Sequence, residues 1–314
     1  MRFSFSDRLS NRKRLHHFVR SVDGEIPVPE RILITGQTGF VGTHFAEYIK
    51  EDGRYEITYG DPDHIIHLGA KTNIDKSIID PEKCVEENVM FTMMMLELAR
   101  KLPKLKTFVY FSTDEVFGPA PEGARFKEWH RYNSCNPYAA SKAAGEELCL
   151  AWANTYNVPV IITHCQNLIG ERQRIEKFLP TVVRAALKGA SVKVYADPET
   201  GRPASRDYLH ARDAASAVLF LLEKGQFRNK YNISANRPIS SLEVINQVND
   251  ILDVKIAFEL VSAASVRPGF SVRYGLDGSK LLQMGWKPPK TFEENLRTTV
   301  AWMVATENRK WLEL

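Results

Sequence analysis

The sequence predicts an α/β fold, a doubly wound parallel sheet followed by a smaller mixed α/β lobe. Two observations carry this expectation. Through the first half of the chain, apolar runs of strand length alternate with stretches of helical periodicity. The runs are apolar at consecutive positions, as in parallel strands buried on both faces.

The elements follow in order. RILITG (31–36) is a buried strand, and a helix follows over 41–51. YEITYG (55–60) offers a short strand, and PDHIIHLGA (62–70) a second buried one. Residues 81–101 form a long helix, with Pro81 in its first turn and Val89, Met93, Leu96 and Leu98 as apolar positions. LKTFVYFS (105–112) is a strand, 138–156 a helix, and VPVIITHCQN (158–167) a further strand. After Gly170, prolines and charges punctuate shorter elements. The expected organisation is an extension over 1–30, a first domain over 31–168 to which 205–235 return, and a second lobe made of 169–204 and 236–314.

Composition narrows the classes. The chain of 314 residues is 44% hydrophobic and 25% charged, as ordinary globular proteins are. Its net charge of +4 admits anionic substrates without indicating nucleic acid. Cys84, Cys135, Cys149 and Cys165 form no CxxC pair, which argues against a disulfide scaffold or zinc site and suits a reducing, cytoplasmic setting. No metal is expected, and no apolar run reaches membrane-spanning length. The basic N-terminus lacks the apolar core of a signal peptide and reads as an extension with a short helix from Ser6. Its basic run is short and contains Asp7, so nucleic acid is not the expected partner.

Gly36-Gln37-Thr38-Gly39-Phe40-Val41-Gly42 places three glycines between a strand and a helix. Glycines let backbone approach a pyrophosphate, and the helix N-terminus offers free N–H groups, so a dinucleotide site is expected. An acid about 20 residues on usually meets the adenosine ribose. Asp61 is the candidate, although it runs almost directly into the next strand and reads equally as a loop aspartate. No arginine stands beside it for a 2′-phosphate, which favours NAD over NADP.

Tyr138 and Lys142 lie four apart on one helix face. A lysine ammonium favours a phenolate, making Tyr138 a candidate general base. Ser112 and Thr113, one strand earlier, can hydrogen-bond the same substrate oxygen. Asp114 and Glu115 follow at the strand end. Adjacent carboxylates oppose each other's ionisation, which suits one acid and one base. A turn after Thr113 would let both face one pocket. The plain alternative is a capping aspartate and a solvated glutamate.

GQTGFVG, HLGAKTNIDKS, FSTDEVFG, PYAASK, RDYLH and RPGFSVRY occur in this order. Together they resemble the extended short-chain dehydrogenase/reductase family that acts on nucleotide sugars, and within it the NDP-glucose 4,6-dehydratases. The resemblance runs from about residue 31 to the C-terminus. The glycine loop and YxxxK are family-wide; the Thr-Asp-Glu triplet is more specific, since 4-epimerases and decarboxylases usually lack the Asp-Glu pair. The resemblance implies a Rossmann-type domain, NAD as a self-recycling cofactor and a nucleoside-diphosphate hexose as substrate. It implies C4 oxidation with Tyr138 as base, C5 proton removal by Glu115, protonation of the leaving C6 hydroxyl by Asp114, and hydride return to C6. His67, Leu68, Gly69, Ala70 and Thr72 would pass the cofactor, with Asn88 supporting strand and helix beside it. Asn167, Lys177, Arg206 and Arg267 would meet the diphosphate or ribose, and Tyr195 the base. A homodimer through a four-helix interface, from about 88–101 and 138–156, is also implied.

The sequence departs from the family in places. Gly42 and His67 are only 25 residues apart, so one strand–helix unit is missing and the adenosine half of the NAD site is altered. Leu9, Leu15 and Phe18 suggest that the N-terminal extension packs in the vacated place. Asn73 stands where a histidine is usual, His164 where an arginine is usual, and Gln166 and Leu168 replace asparagine and tyrosine. Two rival readings follow: a 4-epimerase or decarboxylase on the same fold, and a non-catalytic NAD- or RNA-binding relative.

Overall fold

The computed structural model of the chain describes residues 28–265 and 270–314. The expected short N-terminal helix, the expected packing of the extension, and Arg267 lie outside the described residues.

Strands β1 (Glu30–Thr35), β2 (Tyr55–Ile57), β3 (His64–His67), β4 (Thr107–Thr113) and β5 (Val160–Cys165) alternate with helices α1 (Phe40–Asp52), α2 (Ile74–Ile79), α3 (Pro81–Arg100) and α4 (Pro137–Tyr156). Beyond β5 come β6 (Asn167–Ile169), α5 (Phe178–Lys188), β7 (Val192–Ala196), β8 (Ser205–His210), α6 (Ala211–Lys224) and β9 (Asn229–Ile233). The chain closes with β10 (Pro238–Ser240), α7 (Ser241–Leu252), β11 (Phe258–Ser262), α8 (Ser279–Gln283) and α9 (Phe292–Val304).

Among the described residues the main sheet runs β2-β1-β3-β4-β5-β9 and is parallel throughout. Every residue of β5 is buried, as its consecutive apolar residues require. One core joins α1 and α6 through Phe45, Ile49, Val218 and Leu221 to Ile32 and Ile161 of the sheet. Another joins α3 and α4 through Leu96 and Cys149 to Phe108, Tyr110 and Ile162.

The missing crossover has a visible solution. Parallel neighbours normally need a dozen or more connecting residues to return the chain. Here β2 has three residues, and Ile32 is in register with both Ile57, where β2 ends, and His64, where β3 begins. The two strands are staggered along β1, so the chain crosses from one flank to the other without returning. Thr58 donates to the Ile32 carbonyl on one flank and Asp63 to the Arg31 carbonyl on the other.

The remaining strands form a three-stranded sheet, β10-β8-β6, and a two-stranded one, β11-β7. Leu179, Val183, Val244, Leu296 and Val300 form the core under them.

Candidate active site

The glycine loop joins β1 to α1. Gly36 has φ +72°, and a Cβ at Gly42 would lie 2.1 Å from the Gly36 carbonyl oxygen. Only glycine permits that approach of helix to turn. Helix α1 starts at Gly39 with no side-chain cap and no acid in its first turn. Its free N–H groups face a cavity of about 660 Å³ lined by Gly36, Thr38, Gly39, Phe40, Val41, Gly42, Leu68, Gly69, Ala70 and Thr72, all expected cofactor contacts. The cradle fits a dinucleotide pyrophosphate. Asp61 does not line this cavity. It sits exposed at φ +42° on the loop that crosses from β2 to β3.

His67 and Asn88 support this wall from behind. The Gly69 N–H donates to Thr35 Oγ1 at 3.0 Å, and that hydroxyl donates to His67 Nδ1 at 2.7 Å, because the ring proton sits on Nε2. His67 Nε2 then donates to Thr92 Oγ1 (3.2 Å), whose hydroxyl donates to the Asn88 carbonyl. Burial, helped by Lys142, pushes the His67 pKa down to about 3, so this imidazole is neutral. Asn88 accepts from the Lys71 N–H and donates to Ser141 Oγ, which donates to the Tyr138 carbonyl. The cofactor loop and the start of α4 are thus one hydrogen-bonded unit.

Strand β4 ends at Thr113, and Asp114–Phe117 turn in a single 3₁₀ segment. Thr113 Oγ1 accepts from the Glu115 N–H and donates to Asp114 Oδ1 at 3.2 Å. Asp114 is buried. Burial, then the Glu115 charge, raise its pKa to about 7, against the pull of Arg206. Asn136 Nδ2 donates to Glu115 Oε2 at 2.8 Å while its Oδ1 caps α4 by accepting from the Ala139 N–H. The amide orientation is therefore set by the helix.

Tyr138 and Lys142 are both buried on α4. These catalytic candidates do not line the cavity; they stand one step behind it, the Tyr138 N–H donating to Ser77 of the wall. The expected lowering of the Tyr138 pKa by Lys142 is not the outcome. Burial, then the Glu115 charge, push the phenol well up, and a Thr113 hydrogen bond opposes them only in part. The physical reason is that the phenol shares its buried site with two acids. Lys142 Nζ instead lies 4.0 Å from the Tyr110 ring centroid, and burial pushes its pKa down to about 8 against the opposing pull of Glu146.

Glu146, one turn beyond Lys142, is wholly buried and accepts from Ser112 Oγ at 2.6 Å. Its other oxygen meets Tyr132 OH, His164 Nε2 (3.1 Å) and Lys230 Nζ (3.2 Å). Asn232 donates from Nδ2 to the Phe126 and Asp277 carbonyls, so its Oδ1 faces His164 and accepts from Nδ1 at 2.9 Å. Burial would raise the Glu146 pKa, but His164, Lys230 and Ser112 outweigh it and hold it at about 2.

On the substrate side, Lys177 lines the cavity at the start of α5. Asn167 is exposed on β6, and Tyr195 meets Phe270 edge-on at 5.1 Å. Arg206 spends three of its five N–H donors on the Ser205, Val272 and Ser271 carbonyls and lies over the Tyr274 ring. It clasps the 270–274 segment to β8. His44, Glu171 and His210 bring one ligand atom each within 4.8 Å of one another. His210 Nδ1 accepts from the Arg212 N–H, so its Nε2 carries the proton donated to Glu171, and the set is closed by its own hydrogen bonds.

Residues 56–234 match the model of the NAD dependent epimerase/dehydratase family. The chain is 31% identical to the dTDP-glucose 4,6-dehydratase of Salmonella typhimurium over 346 positions, spanning 90% of this chain and 94% of the relative. It superposes on the crystal structure of the Bacillus anthracis dTDP-glucose 4,6-dehydratase in complex with NAD with a TM-score of 0.77 and 29% identity, covering 90% of this chain and 98% of that one. On the Thermus thermophilus UDP-glucose 4-epimerase complex with NAD, the values are 0.80, 25%, 88% and 99%. With the glycine cradle, the buried tyrosine–lysine pair and these likenesses in one chain, the protein belongs to the NAD dependent epimerase/dehydratase family.

Proposed function

We propose that this protein is an NAD-dependent NDP-hexose 4,6-dehydratase, taking UDP- or dTDP-glucose to the NDP-4-keto-6-deoxyglucose. The observation that carries the reading is the Asp114–Glu115 pair, in which one carboxyl keeps its proton near neutral pH and the other is oriented by Asn136. Water elimination needs an acid and a base on adjacent carbons; epimerisation at C4 needs neither.

NAD, when bound, supplies the acceptor for the C4 hydride and gives it back at C6. The rest falls to the chain. Tyr138 is assigned the C4 hydroxyl proton, which it can accept only as the phenolate, so the positive nicotinamide of bound NAD would have to offset the burial and the Glu115 charge that favour the protonated phenol. Beside a C4 ketone the C5 proton is acidic, and Glu115 removes it. Asp114 gives its proton to the C6 hydroxyl, which leaves as water. As the hydride arrives at C6, Glu115 returns its proton to C5; Tyr138 then holds one proton and Asp114 lacks one, and moving that proton back to Asp114 closes the cycle.

Lys177, Asn167 and Arg267 are assigned to the substrate diphosphate, with Arg206 offering its remaining donors. Tyr195 is assigned to the base. Residues 31–168 with 205–235 form the cofactor domain in this reading, and 169–204 with 236–314 the substrate lobe. The exposed Met90, Met94 and Leu98 of α3, beside α4, support a homodimer through a four-helix interface. The free cysteines Cys84, Cys149 and Cys165, all buried, support a cytoplasmic setting.

The epimerase reading is kept by the likeness to the Thermus structure. Mass spectrometry after incubation with UDP-glucose or dTDP-glucose and NAD separates the two. Loss of one water is the expected outcome and names the base. An isomer of unchanged mass would replace the dehydratase with the epimerase.

A further inference from the structure

A second cavity, of about 830 Å³, opens on another side of the molecule and shares no residue with the cofactor cavity. Its walls come from the 127–132 segment, α4, the start of β9 and α8. Five cations, Lys127, Arg131, Arg228, Lys230 and Lys280, face two acids, Glu128 and Glu147. Among the described residues only Lys230 of these five is ion-paired, with the buried Glu146. Lys280 donates to Asn229 Oδ1 and the Lys230 carbonyl, and Arg228 to the Ala153 carbonyl and Asn157, all neutral acceptors. With Glu128, Glu147 and Glu146 set against the five cations, the groove keeps an excess of positive charge.

The second observation is independent of charge. Trp129 is 75% exposed, an unusual position for an indole. One face stacks on the His130 ring at 4.2 Å and 14°. That contact covers one face of the indole, and the exposure leaves the other open. An open aromatic face beside these cations matches a ligand with a planar base and a polyanionic tail.

We propose that this groove binds a nucleoside triphosphate, its base on the open face of Trp129 and its phosphates against Lys127, Arg131 and Lys280. The groove floor gives such a ligand a route to the active site. Lys230 and Tyr132 line the groove and both contact Glu146. Glu146 in turn holds Ser112 and stands one turn from Lys142. An anion in the groove competes with Glu146 for Lys230 and leaves more of the Glu146 charge acting on Lys142. This coupling rests on the dehydratase reading; the binding itself does not.

The test uses the full-length, NAD-loaded protein titrated with ATP, GTP, CTP and dTTP, with inorganic triphosphate as the base-free probe, while indole fluorescence is followed. The expected result is saturable quenching by at least one nucleotide. Its affinity should exceed that of inorganic triphosphate by about tenfold or more, the worth of one base–aromatic stack. The quench should vanish in Trp129→Phe. The double variant Lys127→Gln, Arg131→Gln, confined to exposed side chains, should weaken binding about tenfold per lost charged contact. Quenching that persists in Trp129→Phe, or an affinity indifferent to the double variant, would overturn the proposal. So would binding of single-stranded RNA with no response to any mononucleotide. No turnover enters these readouts, so a failure of the dehydratase reading leaves them interpretable.

Discussion

Asn136 donates to Glu115 at 2.8 Å with the same amide that caps the helix carrying Tyr138 and Lys142. Glu115 and the tyrosine–lysine pair are thus fixed to one another by a residue to which no proton transfer is assigned. Glu115→Gln should abolish exchange of the C5 proton with solvent deuterium and lower turnover by about 10²–10⁴. Asn136→Ala should also cost about 1 kcal/mol of stability through the lost cap. Asn136→Asp separates the two roles. It keeps the cap but sets a carboxylate against Glu115, so it should lose stability mainly above about pH 5, where both acids ionise, whereas Asn136→Ala loses it at every pH. Glu115 then ionises less readily, and the acidic limb of the pH profile should move to higher pH. An unmoved limb would mean that Glu115 is not the base.

Asp114 makes a prediction about stability as well as rate. Its pKa in the folded protein is about 7, against an ordinary 3.8. The raised value means that the folded chain holds a proton the unfolded chain has lost. Below about pH 4 both states are protonated and the carboxyl is harmless. As pH rises through 7 the advantage is lost and the buried carboxylate destabilises the fold. Asp114→Asn, neutral at every pH, should therefore raise the melting temperature at pH 8 by several degrees and leave it nearly unchanged at pH 4. The same variant should lose water elimination. A stabilising substitution that inactivates is the signature of a strained functional site. Thermal melts at the two pH values, beside the mass-spectrometric assay, check both halves.

Much of the fold was legible because consecutive apolar residues leave few alternatives to buried parallel strands. The adjacent acids were legible because a strand and a turn bring neighbours in sequence to one place. Other parts depend on register across strands, which local pattern does not carry. Ser112 of β4, His164 of β5 and Asn232 of β9 stand in one row of the sheet, 52 and 68 positions apart in sequence. That row, with Lys230 and Tyr132, is what surrounds Glu146. The Tyr138 pKa went against the YxxxK expectation for a related reason. A pairwise rule named the lysine, while burial and Glu115 decided the direction. Asn136 did leave a trace, since asparagine before a proline at the first helical position is an N-cap signature.

Glu146→Gln tests the buried network. Glu146 raises the proton affinity of Lys142, whose pKa of about 8 already sits low through burial. Removing the charge should drop it further. The alkaline limb of the activity profile should then move down by about one unit, as expected for loss of a close opposite charge. His164, Lys230, Tyr132 and Ser112 also face this carboxylate, and Gln preserves its shape toward them. Stability carries the opposite pH dependence to Asp114. The depressed Glu146 value, about 2 in the folded state, gives stability that is present above the ordinary 4.5 and lost as pH falls toward 2. The variant should be less stable at pH 7, by about 3–5 kcal/mol, because buried cations lose their partner. It should also show a flatter acid denaturation curve.

The last prediction concerns assembly. On α3, Met94 is 60% exposed, with Met90 and Leu98 on the same side of the helix. On α4, which packs beside α3, Ala140, Ala144 and Ala151 are exposed at helical spacing and keep the surface low. Two copies can bring these faces together as four helices, with methionines over small residues. The interface would seal the back of the cofactor wall, since Asn88 and Thr92 of α3 hold the Gly69–Lys71 loop in place. Met94→Glu or Ala144→Glu would bury a lone carboxylate at the centre of that face, at a cost of several kcal/mol. The dimer dissociation constant should rise more than about a hundredfold. Sedimentation velocity at micromolar concentration should then find monomers for each variant and dimers for the parent. A parent that sediments as a monomer, or variants that stay dimeric, would move the interface off this face.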